Sequence, residues 1–260
     1  MLLKKIEENS FAHFKYLPGL LGYKVKRCTA GTIINCGLGT SMFNIVCETR
    51  VNSNENVETM VDAVIKEYDC QPFAWWLGQE ANSKELGEVL QDKGFIVETV
   101  EHAMVCDLDN FDHGEFTHNN IGLNIKLVEN KDDLADFISV LLPYDSAAQT
   151  FYARLADPKQ SSKEKLFIGY AGGGFPMVIG SVYLHEDTGG IFCLITAESS
   201  RGRGYGTAMM RYMMAVIKQS GMRYATLSAS SDSGYRIYQR LGFEKVGELE
   251  CYEWRGGAPP

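Results

Sequence analysis

The chain has 260 residues, room for one large domain or two small ones, and its 45% hydrophobic and 22% charged content is that of a folded globular protein. Its net charge of −8 argues against nucleic acid as the main partner, because phosphate binding needs clustered Lys and Arg. The seven cysteines are odd in number and contain no Cys-x-x-Cys pair, so neither a disulfide framework nor a zinc site is suggested.

In chain order, Leu2 to Tyr16 reads as a helix that Pro18-Gly19 stops, with charges where a signal peptide needs an apolar core. No apolar run is long enough to span a membrane, so a cytoplasmic, membrane-free protein is expected. Val25 to Cys28, Thr32 to Cys36 and Met42 to Cys47 read as short strands, with Gly37-Leu-Gly39 as a hairpin turn. Val57, Met60, Val61, Val64, Ile65 and Tyr68 form a helical stripe. Pro72 to Leu77 is an aromatic strand. Asn82-x-x-Glu85 offers a cap to a helix carrying Leu86, Val89 and Leu90, which ends at Gly94-Phe95. Ile96 to Leu108 is strand-like.

Residues 111–122 read as a linker, rich in Asp, Asn, His and Gly without apolar periodicity. His102, His113 and His118 with Asp109 and Asp112 lack any spacing that would present them on one face, so no metal site is expected. A strand at Leu123–Val128 follows, then a helix from Asp132-Asp133 through Leu142 that Pro143-Tyr-Asp145 breaks. A second helix covers Phe151–Leu155, and strands cover Leu166–Ala171 and Pro176–His185.

Ile191 to Thr196 is a buried-strand pattern. A polar connection then leads to Arg201-Gly-Arg-Gly-Tyr-Gly206. After the last glycine, Met209, Met213 and Ile217 repeat every fourth residue, so the period becomes helical. A strand, a glycine turn and a helix N-terminus together make an anion site. Glycines admit close backbone approach, and the first helical amides have no intrahelical partner and lie at the positive end of the dipole. A P-loop would need Lys then Ser or Thr after the last glycine, and Gly206 is followed by Thr207-Ala208. A dinucleotide fingerprint would space its glycines differently and carry an acid on the next strand, where Arg223 to Leu227 has none.

Arg201, Gly204 and Gly206 match Arg-x-x-Gly-x-Gly, and this stretch resembles the coenzyme A loop of the GNAT N-acetyltransferase superfamily. Downstream, Tyr238, Leu241, Gly242 and Phe243 match that family's Tyr-x-x-Leu-Gly-Phe ending, with Gly242 placed as a helix C-cap. The resemblance covers the chain from about Leu123 onward. Gln91-Asp-Lys-Gly-Phe95 repeats Gln239-Arg-Leu-Gly-Phe243, Val57–Tyr68 repeats Thr207–Lys218, and Phe73–Leu77 repeats Tyr224–Ser228, all at a spacing of about 150 residues. The expected fold is therefore α/β (α+β): two tandem GNAT-like units, each a mixed, mostly antiparallel sheet flanked by helices. The expected domains are residues 1–110 and 123–260, with 111–122 between them. In the first, Glu48 to Asn56 stands where the glycine loop should be; it has no glycine and carries carboxylates, so that copy is read as degenerate and unable to bind coenzyme A.

The resemblance implies acetyl transfer from acetyl-coenzyme A, with no metal, to a primary amine of a small molecule or peptide. Backbone groups of Leu194, Ile195 and Thr196 would hold the pantetheine arm. The amides of Arg201, Gly202, Arg203, Gly204, Tyr205, Gly206 and Thr207 would take the pyrophosphate. Tyr238 holds the general-acid position, and Ser231 stands where many members carry an asparagine against the coenzyme. Tyr144, Asp145 and Tyr152 are candidates for the acceptor pocket. The base stays open: Ile191–Thr196 carries no carboxylate, which leaves Glu186, Glu198, Asp145 or a water chain. Cys193 reads as a buried structural thiol. An acyl-coenzyme A sensor or interaction module with little turnover is the competing reading.

Overall fold

The computed structural model describes residues 1–51, 56–79, 81, 84–111 and 122–257. Asn82, Asp112, His113 and His118, named above, lie outside the described residues. The described chain runs α1 (Leu2–Leu20), β1 (Lys24–Cys28), β2 (Gly31–Asn35), β3 (Ile45–Cys47), α2 (Val57–Glu67), β4 (Phe73–Leu77), α3 (Lys84–Asp92) and β5 (Ile96–Asp107). Then come β6 (Leu123–Leu127), α4 (Lys131–Leu141), α5 (Ala148–Tyr152), β7 (Glu164–Ala171), β8 (Phe175–His185) and β9 (Thr188–Thr196). The last elements are α6 (Tyr205–Gln219), β10 (Tyr224–Ala229), α7 (Asp232–Arg240) and β11 (Glu244–Trp254).

The chain forms two compact units. One is Met1–His13 with Ala103–Val246; the other is Phe14–His102 with Gly247–Pro260. Each half therefore keeps a segment from the far end of the chain, where the sequence suggests a simple cut at residues 111–122. At the N-terminal end, Lys5 Nζ bonds both oxygens of Asp187 at 2.7 and 2.8 Å. At the C-terminal end, β11 pairs antiparallel with β4 from Glu250↔Leu77 to Trp254↔Phe73.

In the Phe14–His102 unit, β1-β2-β3-β4-β11 are hydrogen-bonded in that order, and only β3–β4 is parallel. The stripe on α2 buries Val57, Met60, Val61, Val64 and Ile65 against Phe73, Trp75 and Leu77 of β4. Tyr68 stacks on Phe73 at 4.0 Å, and its hydroxyl lies within hydrogen-bond reach of the Ile34 and Ile45 carbonyls. In the Ala103–Val246 unit, β10-β9-β8-β7-β6 follow one another, and only β10–β9 is parallel. The methionine stripe of α6 lies against one face. A Cβ on Gly180 would meet Met213 Sδ at 2.7 Å, and one on Gly189 would meet Ile217 at 2.5 Å, so bare backbone there lets the helix settle on the strands.

Three local expectations shift. The helix α1 runs past Pro18 to Leu20, because a proline in the last turn loses one amide bond while its carbonyl still accepts from Tyr23 N. Strand β3 starts at Ile45, not Met42. Asn44 ties the preceding loop with its side chain, accepting from Cys36 N and donating to the Leu38 and Pro72 carbonyls. α5 covers Ala148–Tyr152, one turn earlier than the expected Phe151–Leu155.

Candidate active site

The site is built on β9 and the corner that follows it. Opposite β9, β8 contributes Gly180 alone between Ile179↔Ile195 and Ser181↔Phe192, so Cys193 and Leu194 face a single residue. This is a β-bulge, and Cys193 takes φ = +52° within it. No glycine marks the position, so the sequence gives no sign of it. The bulge turns β9 away from β10: the two pair only over Tyr224↔Thr188 to Thr226↔Gly190. Beyond Gly190, β9 and β10 diverge, and Leu194, Ile195 and Thr196 line the space that opens.

The next structure is a short 3-10 turn at Glu198–Ser200, followed by Gly202 at φ = +76° and Gly204 at φ = +82°. Both glycines occupy the left-handed region, which other residues enter only with strain. Gly204 is the N-cap of α6 and provides no side-chain cap bond, and the first turn holds no acid. The leading amides of α6 thus keep their donors for something other than the helix. Gly206 packs close to β9, since a Cβ there would lie 3.3 Å from Thr196 Oγ1.

The cleft so formed has a volume of about 720 Å³. Leu194 to Thr196 form one wall, and Arg201, Gly202, Gly204, Tyr205, Gly206 and Thr207 form another. Ser231 and Tyr238 line the wall made by α7, with Ser233, Gly234, Ile237 and Arg240, which sequence reading did not single out. Tyr144 reaches the rim, where Arg201 Nη2 donates to its hydroxyl at 2.5 Å. Arg203, Asp145 and Tyr152 are not among the lining residues.

Each wall residue has a local cause. Ser231 is the N-cap of α7 and accepts from Gly234 N at 3.2 Å, so its oxygen already serves the helix. Gly234 sits one turn before Tyr238, and a Cβ there would lie 3.2 Å from the Tyr238 ring. The bare backbone lets the phenol lie down along the helix toward the cleft. Its ring also packs against Phe243 at 6.1 Å. The Tyr-x-x-Leu-Gly-Phe ending closes as a Schellman cap: Phe243 N donates to Tyr238 O, Gly242 N donates to Gln239 O, and Gly242 has φ = +89°.

Asp145 spends its carboxylate on a turn, accepting from Ala147 N at 2.7 Å. Tyr152 is buried among Phe137 and Phe151, and burial holds its phenol well above the ordinary tyrosine range. The Cys193 thiol is pushed up to about 12, first by burial and then by the Glu164 carboxylate, so it is neutral at physiological pH. Among the described residues, no three His, Cys, Asp or Glu side chains are grouped to hold a metal ion. No described helix is long and apolar enough to cross a membrane.

Residues 163–245 match the family model described as an acetyltransferase (GNAT) domain, which spans β7 through α7 and so carries most of the cleft. This segment is a GNAT domain. The fold likeness extends further along the chain. A GCN5-related N-acetyltransferase from Kribbella flavida superposes with a TM-score of 0.71 at 15% identity, covering 97% of this chain and 96% of that one. A conserved protein of unknown function from Staphylococcus epidermidis gives 0.64 at 15% identity, over 91% and 96% of the two chains. A tandem GNAT protein from the clavulanic acid biosynthesis pathway gives 0.54 at 12% identity, over 83% and 76%. No curated protein sequence matches the chain. The GNAT domain thus sits within a chain whose overall fold is that of GCN5-related N-acetyltransferases.

Proposed function

We propose that this protein is an acetyl-coenzyme A-dependent N-acetyltransferase that acetylates a primary amine of a small molecule or peptide by direct attack on the thioester. The observation that carries this reading is the uncapped N-terminus of α6, opening with glycine into a cleft that also receives β9 backbone and Tyr238. The leading amides of α6, with that of Gly202, suit a pyrophosphate, while the Arg201 amide is spent on the preceding turn, donating to Glu198 O. Arg203 lies on the same loop outside the cleft lining and adds positive charge nearby. The edge of β9 from Leu194 to Thr196 suits an extended amide-bearing arm laid alongside it.

The coenzyme supplies the acyl group as an activated thioester. The protein orients it, excludes water and handles protons. Of the cleft tyrosines, Tyr238 is assigned the proton donation to the departing thiolate, since it lies on the α7 wall facing β9 and matches the family's general-acid position. Ser231 Oγ caps α7 and lies 3.3 Å from Ser233 Oγ, so one hydroxyl of this pair can turn its hydrogen to the ligand. Tyr144, exposed at the rim, is positioned to meet the acceptor; Asp145 and Tyr152 shape the wall behind it. The first-half copy serves a structural role and binds no coenzyme A. All seven cysteines are free thiols, in keeping with a reducing, cytoplasmic compartment.

Strand β9 carries no acid from Ile191 to Thr196, which favours the second reading, an acyl-coenzyme A sensor with little turnover. A thermal unfolding scan with acetyl-coenzyme A, followed by thiol release with a panel of primary amines, separates the two. At 100 times its dissociation constant the ligand should stabilise the fold by about 2.7 kcal/mol. Stabilisation with amine-dependent thiol release supports the enzyme. Stabilisation with no release from any amine supports the sensor. No stabilisation removes both.

A further inference from the structure

A second polar cluster lies beside the bulge, on the face of the sheet opposite α6. Directly opposed residues on neighbouring strands share a face. Glu164 stands opposite Tyr183, Tyr183 opposite Gly190, and Ser181 opposite Phe192. Asn9 and His13, one turn apart on α1, come down on this patch. His13 stacks on Phe192 with ring centroids 3.7 Å apart, and its Nε2 lies 3.0 Å from Glu164 Oε1. Asn9 Nδ2 donates to Thr188 Oγ1 at 2.8 Å and to the Tyr183 carbonyl at 3.3 Å. Because carbonyls only accept, these bonds fix the amide so that Oδ1 points the other way. There it lies over Gly190, where any Cβ would collide with it.

Three acceptor atoms in this patch have no hydrogen-bond partner among the described residues: Asn9 Oδ1, Glu164 Oε2 and Ser181 Oγ. Their residues are 0%, 3% and 0% exposed. Buried polar atoms without partners are rare and costly, above all on a carboxylate. All three can accept, Ser181 Oγ also carrying a hydrogen to donate, and one of them belongs to a carboxylate. A primary ammonium group has the complementary character, with three N–H donors and one positive charge. His13 is partly exposed, which puts the cluster one layer from solvent.

We infer that Asn9, Glu164 and Ser181 form the recognition site for the primary ammonium group of the acceptor, with His13 positioning the Glu164 carboxylate. This deepens the N-acetyltransferase reading and rests on it. It also supplies the carboxylate that β9 lacks, from β7 in place of β9. Sequence reading missed it because Asn9, His13 and Glu164 are far apart in the chain and match no spacing rule.

The test is a titration followed by NMR on protein with isotopically labelled histidine rings, saturated with coenzyme A, the His13 signal being assigned by its loss in His13→Gln. The probes are n-butylammonium, tetramethylammonium and 1-butanol at equal ionic strength. Saturable movement of the His13 signal is expected with butylammonium and not with the other two, which lack N–H donors or charge. Glu164→Gln should weaken that binding at least 10-fold, and Ser181→Ala, a milder change should the first variant not fold, about 3-fold. No movement with butylammonium, an equal response to tetramethylammonium, or undiminished binding in the folded variants overturns the site. Thermal stabilisation by acetyl-coenzyme A is read on the same samples. Its loss in the wild type sinks the parent reading while the ammonium result stands or falls by itself.

Discussion

After Gly190, β9 runs six residues past the end of its pairing with β10, through the bulge at Cys193 and into Gly202 and Gly204. After Val46, β3 runs one residue past its pairing with β4, turns at Glu48 with φ = +58°, and its loop meets α2 at Asn56. Both corners go from a parallel strand to an apolar-striped helix. At the first, α6 starts on a glycine with no side-chain cap and no acid. At the second, Asn56 caps α2 by accepting from Thr59 N at 2.9 Å, and Glu58 sits in the first turn. The positive end of one helix thus lacks a side-chain cap, while that of the other is satisfied from within.

The spaces between the strands differ in the same sense. Beside β9 there is a cleft. Beside β3, Trp75 is fully buried, and its indole Nε1 donates to Thr49 Oγ1 at 2.8 Å, which donates to Ala30 O at 2.8 Å. The side chain fills the gap, and its polar atom is accounted for. The lesson is that one corner can be left open as a cleft or closed into core by a few residues, a tryptophan and an asparagine against two glycines and a bulge.

The largest expected effect concerns turnover at the open corner. Tyr238→Phe keeps the ring packed on Gly234 and Phe243 and removes only the hydroxyl. General-acid catalysis contributes about 10²- to 10⁴-fold, so kcat should fall within that range while acetyl-coenzyme A affinity changes little. Steady-state kinetics with any accepted amine check this, and an unchanged kcat would remove Tyr238 from proton transfer. Next comes the closed corner. Trp75→Ala should destabilise the protein by about 3–5 kcal/mol through the cavity and the lost indole hydrogen bond to Thr49, whose hydroxyl still donates to Ala30 O. Denaturant titration measures it. A loss below 1 kcal/mol would mean the gap collapses readily and that Trp75 is no plug.

Gly204→Glu sharpens the contrast from the other side. It forces a side chain into φ = +82° and sets a carboxylate at the helix start, giving α6 the acidic character of the α2 corner. The stabilisation of about 2.7 kcal/mol expected from saturating acetyl-coenzyme A should vanish. A thermal shift equal to that of the wild type would place the ligand elsewhere.

The contrast also marks what the sequence makes legible. Gln91-Asp-Lys-Gly-Phe95 and Gln239-Arg-Leu-Gly-Phe243 close with the same bonds: Phe95 N to Leu90 O and Gly94 N to Gln91 O repeat Phe243 N to Tyr238 O and Gly242 N to Gln239 O. Local chemistry sets such a cap, so a short string reveals it. The glycine loop, the methionine stripe and Tyr238 are legible for the same reason. The bulge is not, because Cys193 is held in left-handed backbone by the strand opposite it, and no residue preference signals that. The exchange of terminal segments is equally silent, since β11 reads as one strand whichever β-edge it joins. Asp145 and Tyr152 are candidates through the family resemblance, with no motif of their own, and the structure puts one on a turn and the other in the core.

The smallest effect asks whether the closed corner is closed by its cap. Asn56→Ala removes the side chain that accepts from Thr59 N and should cost about 1 kcal/mol, the usual worth of an N-cap. It frees one amide donor at α2, and in a comparison resting on caps alone that would let the first copy begin to bind. It should not bind, because Trp75 still fills the space beside β3 and Glu58 still stands in the first turn. A calorimetric titration of acetyl-coenzyme A into Asn56→Ala carrying Gly204→Glu isolates the first copy, and no heat of binding is expected. Measurable binding there would show that the two corners differ by a single hydrogen bond, and that the buried tryptophan does not keep the ligand out.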